Sequence, residues 1–272
     1  MEPAYPNPDR DRISTMTALI LLAYALIRIA ELPTIAPEIT FAGLIVRFEI
    51  NTRLIMLSLA ASLAAAGADW LLRSHPSFDQ ADNTAEHWIL PGLASFGLGA
   101  ILSRVPEGLG LWLGLPISTA LLTAVLVAEF IVFDPDDPRY ESVTLILRTL
   151  AYLLLAGSLF AVNGSGLRAI FAVPLTFTTA GLVSWRLMRL EALSGGTAFR
   201  FAMIIGLMAA ELTWAIHYWP IPPLQIALMN GLAVYLSYHL IGLIRRGELQ
   251  RGQVIELSIV GLLGVTAIVL VG

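Results

Sequence analysis

Glu211, Arg148 and Glu129 are charged side chains set inside long apolar runs, where a charge is costly enough to require either a partner or a function. Glu211 is the deepest acid. Counted outward from the turn at Pro220, Glu211 lies about nine residues before it and Asn230 about ten after it, so in an antiparallel hairpin of constant rise the two reach similar depth. They are expected to share a hydrogen bond. Trp214 and Tyr218 follow Glu211 at i+3 and i+7, on one helix face. Two chemistries fit this set. Glu211 is either a proton-carrying or substrate-gripping carboxyl in an internal cavity whose outer mouth is lined by Trp214, His217 and Tyr218, or it is protonated interhelical glue bonded to Asn230, with the aromatics in the interfacial belt. Arg148 is placed to pair with Glu129 or Glu211.

A second constellation gathers toward the other ends of the runs. It comprises Asp69, His75, His87, Glu129, Asp134, Asp136, Asp137 and His239. Carboxylates and imidazoles together are the groups of acid–base catalysis, and Asp69, His87, Glu129 and His239 are the candidate catalytic residues. Their spacing matches no metal motif such as HExxH or a paired ExxH, so no metal is assigned. The acidic turn DPDDP has the look of carboxylate clusters that hold magnesium, and equally of a solvated turn. No Walker loop, Rossmann fingerprint, GxSxG elbow or haem-attachment signal occurs. ATP, nicotinamide and covalently attached haem are therefore not expected, and the cofactor stays open.

These groups must be positioned by membrane helices. Of 272 residues, 57% are hydrophobic and 13% charged, with a mean hydropathy of +0.78, whereas soluble domains carry about 25% charge. Apolar runs near 14–31, 53–72, 88–104, 109–133, 141–162, 167–188, 198–219, 221–244 and 254–271 predict about nine transmembrane helices arranged as hairpins. The organisation expected is a tail over 1–13 and one polytopic domain over 14–272. The segment at about 33–52 is apolar at its centre but too short to span, and it reads as a short β-hairpin or an interfacial piece. The first run lacks a basic leader and a small-residue cleavage site, so it reads as a retained helix and not a signal peptide.

All 16 basic residues are arginine. About ten (Arg10, Arg12, Arg73, Arg139, Arg186, Arg189, Arg200, Arg245, Arg246, Arg251) fall on the side of the N-terminus and about four (Arg47, Arg53, Arg104, Arg168) opposite, which predicts a cytoplasmic N-terminus. The net charge of −4 with no basic tract argues against nucleic acid as a partner. With no cysteine, disulfides, thiolate zinc sites and cysteine nucleophiles are excluded. In the second run Ala60, Ala64 and Ala68 recur every fourth residue, a stripe that lets another helix approach closely.

The segments AGADWLLRSHP (66–76), HWILPGL (87–93), AEFIVFDPDD (128–137) and HYWPIPPL (217–224) resemble a bacterial, Chloroflexota-type multi-spanning family catalogued only as a domain of unknown function. The resemblance covers most of the chain and implies a bacterial cytoplasmic (inner) membrane protein. It brings no activity or catalytic residue with it. The function expected is that of a transporter-like protein or a membrane subunit of a larger complex, with membrane lipids and complex subunits or an oligomer as partners. The alternative is an intramembrane enzyme acting on a lipid or isoprenoid substrate at the cytoplasmic face.

Overall fold

A computed structural model describes residues 6–29, 38–41, 44–47, 52–81, 83–247 and 250–271. The chain divides into two compact units, residues 1–144 and 145–272. Part of the tail expected over 1–13 and most of the segment expected over 33–52 lie outside the described residues.

The first unit holds α1 (Arg10–Ile29), α2 (Thr52–Leu72), α3 (Ile89–Leu102) and α4 (Leu109–Ile131). Two four-residue strands, β1 (Glu38–Phe41) and β2 (Leu44–Arg47), pair antiparallel between α1 and α2, with Glu38 opposite Arg47. A 3-10 turn over Ala85–Trp88 leads into α3. Helix α2 packs against both α1 and α3. Its alanine stripe is the reason: Ala60, Ala64 and Ala68 are all buried, and with only methyl groups on that stripe the neighbouring backbones come close. Tyr24 of α1 crosses to α3, where its hydroxyl donates to the Ser95 carbonyl at 2.7 Å, and Gly99 on α3 leaves room for the same ring.

The second unit is built from α5 (Tyr140–Gly164, entering the unit at Leu145), α6 (Ala169–Arg189), α7 (Gly195–Ile216), α8 (Pro223–Arg246) and α9 (Arg251–Val271). Leu147, Ala151, Leu155 and Leu159 form a buried stripe at i+4 spacing along α5. Helix α8 begins with Pro223 at its first position, where a missing N–H costs nothing, and ends at Gly247, whose φ of 67° closes the helix in the left-handed region. The tightest crossing joins α6 to α7. A Cβ on Gly206 would lie 2.8 Å from the Phe177 carbonyl oxygen and 3.2 Å from Gly181 Cα, so the two backbones touch across a pair of glycines.

Seven of the described helices are long and apolar enough to cross a membrane: α2 and α4 to α9. Of the nine expected runs, the third is corrected: among the described residues it makes no helix long enough to span. Helix α3 has 14 residues, about 21 Å at 1.5 Å per residue, against a hydrocarbon core of about 30 Å. The apolar run 88–104 opens inside the 3-10 turn and leaves the helix at Ser103, so its 17 residues do not make one rod. Helix α1 has 20 residues, and the end of the run expected over 14–31 lies outside the described residues.

The glycine contact makes a test. Gly206→Ala should destabilise the protein by about 1–3 kcal/mol through overpacking against a carbonyl that cannot move aside. Gly157→Ala, whose Cβ meets nothing within 4 Å, should leave the thermal unfolding midpoint in detergent unchanged.

Candidate functional site

In the first unit the end of α2, the 3-10 turn and the end of α4 bring together much of the acid and histidine constellation. His87 Nδ1 lies 2.7 Å from Glu129 Oε2, with the two side chains only 7% and 1% exposed. His87 Nε2 is 3.9 Å from Glu86 Oε1. The His75 ring packs 4.5 Å from Phe130 and 5.3 Å from Phe133, and the His87 ring lies 5.5 Å from Phe133, so one phenyl ring touches both imidazoles.

Asp69 faces another way. It accepts from Arg73 Nε at 2.7 Å, from the Thr84 hydroxyl and from the Trp88 side chain, which ties the turn before α3 to the last turn of α2. Its acceptor capacity goes into positioning the backbone on either side of His87. Asp137 is held by three donors of Arg139, the closest being Nη2 at 2.6 Å, and that bonding keeps its carboxyl below the usual range. Asp134 accepts from the Ser77 hydroxyl at 3.2 Å and from the Asp136 N–H at 3.1 Å. The DPDDP acids therefore cap and brace their own turn. Among the described residues no group of three His, Asp or Glu side chains is arranged to hold a metal ion.

In the second unit the expected Glu211–Asn230 bond is absent, and this is a correction. Asn230 is fully buried, accepts from the Thr213 hydroxyl at 3.2 Å and donates to the Ile226 carbonyl at 3.0 Å. Depth matching places Glu211 and Thr213 almost equally well, but two residues turn a helix by about 200°, so when Thr213 faces α8 Glu211 faces away. Glu211 is exposed, as are Trp214 at 68% and Tyr218 at 78%. His217 sets its ring edge-on to Tyr218 at 4.9 Å.

Arg148 also departs from its expected ion pairs. Its Nη2 reaches the Leu190 carbonyl at 3.5 Å, while Glu129 is bonded to His87 and Glu211 is exposed. His239 belongs to the second unit, where Nδ1 lies 2.9 Å from the Tyr235 carbonyl and the ring stacks 4.0 Å from Tyr235. Of the four candidate catalytic residues, His87 and Glu129 meet, Asp69 supports the backbone around them, and His239 has its partners among the tyrosines of α8. Sequence reasoning passed over Glu191, which accepts from Tyr238 Oη at 2.5 Å and from Arg245 Nη2 at 3.1 Å. The signal was the aromatic group Tyr235, Tyr238 and His239 at i, i+3 and i+4, which marks one face of α8.

Two measurements probe the first unit. Burial pushes the His75 imidazole below its ordinary 6.5, partly offset by Asp134 and Asp137, and its Nδ1 accepts the Ser77 N–H, a bond only the form unprotonated at Nδ1 can make. The native state then binds fewer protons than the unfolded state, so its contribution is complete above pH 6.5 and is lost as pH falls below it. The unfolding midpoint should drop between about pH 7 and pH 5, and His75→Phe should flatten that slope. Glu129→Ala should cost about 2 kcal/mol in thermal unfolding, because the buried His87 loses its carboxylate partner.

A family model described as "Protein of unknown function (DUF5656)" matches residues 32–271, from the segment before α2 to the end of α9. No curated protein and no solved structure matches the chain. Spanning both units and every element from β1 to α9, that match makes this chain a member of the DUF5656 family of unknown function.

Proposed function

We propose that this chain is a membrane subunit of a larger assembly and that it joins the assembly through the outward face of α7. The observation that carries this is the exposure of Glu211. Ile204, Leu207, Met208, Trp214 and Tyr218 are exposed around it and make an apolar stripe that suits lipid or another helix, while the carboxyl in its midst does not suit lipid. Glutamate is too short to reach the interface as arginine does. A partner helix offering a hydroxyl, amide or basic group at that depth removes the cost.

A transporter would place its ionisable group inside the bundle, where this chain keeps Thr213 and Asn230 bonded to each other. The His87–Glu129 pair supports an enzyme less well, since both side chains are sealed from lipid and water. The arginine asymmetry supports an N-terminus in the cytoplasm, and the seven apolar spans support a cytoplasmic membrane as the place of work.

A photoreactive amino acid at Leu207 tests the reading in native membranes. It should give a discrete protein–protein adduct, whereas the same group at the exposed Leu262 of α9 should give none. Polar contacts between membrane helices are worth about 0.6–1.7 kcal/mol, so Glu211→Leu should cut the adduct roughly 3- to 18-fold. Lipid labelling alone at Leu207, or an adduct indifferent to Glu211→Leu, would overturn it.

A further inference from the structure

Three pieces of the first unit border a cavity of about 460 Å³, open to the surface and large enough for a small ligand. Asn7 and Pro8 form one wall, the first two turns of α1 form a second, and Thr123 and Val127 of α4 form the third. The first wall is held in place from both sides. Arg139 Nη2 donates to the Pro6 carbonyl at 3.4 Å, and Asp9 caps α1 by accepting from the Asp11 N–H at 2.9 Å.

Arg10 is the one charged side chain among the lining residues. The charges next to it are engaged elsewhere or lie outside the lining: Asp9 caps the helix, Arg12 donates to the Trp70 carbonyl at 2.5 Å and lies 5.0 Å from that ring, and Asp11 does not line the cavity. Among the described residues Arg10 makes no hydrogen bond or ion pair, and the Thr123 hydroxyl makes no hydrogen bond. Ser14 and Thr17 differ, since their hydroxyls donate back to the Asp11 and Ile13 carbonyls and need nothing from a ligand.

Arg10 stands at the first position of α1, whereas Thr123 lies eight residues before the end of α4, about 12 Å inside a membrane-spanning helix. Past Thr17 and Thr123 the same helix faces turn apolar and stay accessible. Leu21, four residues after Thr17, is half-buried, and Ala120, three before Thr123, is exposed. A cation at the mouth, a free hydroxyl inside and an apolar surface beyond follow the order of phosphate, ester and acyl chain in a phospholipid. The layer between bulk water and hydrocarbon is about 5–8 Å thick on each side of a bilayer, so a cavity of this depth crosses it.

We infer that this cavity binds an anionic phospholipid, with Arg10 on the phosphate and the Thr123 hydroxyl donating to an ester carbonyl. Arginine pairs well with phosphate. No acid lines the cavity to receive the amine of a zwitterionic headgroup, which favours a lipid of net negative charge. The site is separate from the outward face of α7 and does not depend on what α7 meets.

The full chain in nanodiscs of phosphatidylcholine, with phosphatidylglycerol added in steps, tests the site by native mass spectrometry of retained lipid. The wild type should hold phosphatidylglycerol in preference to phosphatidylcholine, and Arg10→Gln should hold it about fivefold less well. Thr123→Val keeps every charge and should weaken retention about two- to fivefold. Arg251→Gln removes an exposed arginine at the start of α9 and should change nothing. A loss with Arg251→Gln equal to that with Arg10→Gln would show diffuse attraction of arginines to anionic lipid and would overturn the site. Unchanged retention in Arg10→Gln or in Thr123→Val would overturn it as well. Arg10 has no partner to lose, so Arg10→Gln should keep the wild-type unfolding midpoint, and Thr123→Val carries the test should it not. A parallel arm measures thermal stabilisation by inorganic phosphate in phosphatidylcholine alone. Stabilisation there that Arg10→Gln abolishes, without preferential retention of phosphatidylglycerol, would overturn the lipid source and leave free phosphate as the ligand.

Discussion

Inside a bilayer a polar side chain has no water to turn to, so its partner must come from the protein. Much of the order in this chain follows from that need. Asn230 would be costly on an apolar helix, and Thr213 on the next helix removes the cost while setting the rotation of α7 against α8. Tyr24 and Ser95 do the same between α1 and α3, and His87 and Glu129 between the turn before α3 and the end of α4. Each bond is modest alone, yet each is directional in a medium that otherwise treats all apolar faces alike.

Shape supplies the rest of the specificity. With lipid tails as apolar as leucine, helices gain little from simple burial, and close contact between small residues takes over. Gly181 meets Gly206 between α6 and α7, and the alanine stripe of α2 receives its neighbours in the first unit. Helix α9 shows the opposite case: most of its surface is exposed, and its apolar character on every side leaves lipid as a suitable surrounding.

Against this background the polar groups that lack a local answer stand apart. Glu211 turns away from the one amide that depth would have given it, and Arg148 reaches only the Leu190 carbonyl, at 3.5 Å. They differ in character. Glu211 lies exposed on a helix face, whereas Arg148 bonds to a backbone carbonyl within its unit. Asp69 and Asp137, which look equally chemical in the sequence, are consumed by Arg73, Thr84 and Arg139 in holding loops.

By itself the sequence determined the helical, membrane-like character of the chain, because hydropathy is summed along a run and needs no knowledge of neighbours. It also determined which residues share a depth, since rise per residue is constant. Only the tertiary structure decided azimuth and partner. Rotation about a helix axis places Thr213 and not Glu211 against Asn230, and no linear spacing reports which face α8 will meet. The same limit hid the meeting of His87 with Glu129, which are 42 residues apart. The third expected run failed as a span for a related reason: a run of apolar residues records composition, and whether it is one rod depends on where the backbone turns, as it does before Ile89 and after Leu102. Glu211 and Arg148 were legible as costly residues from the start; what surrounds them was decided by packing.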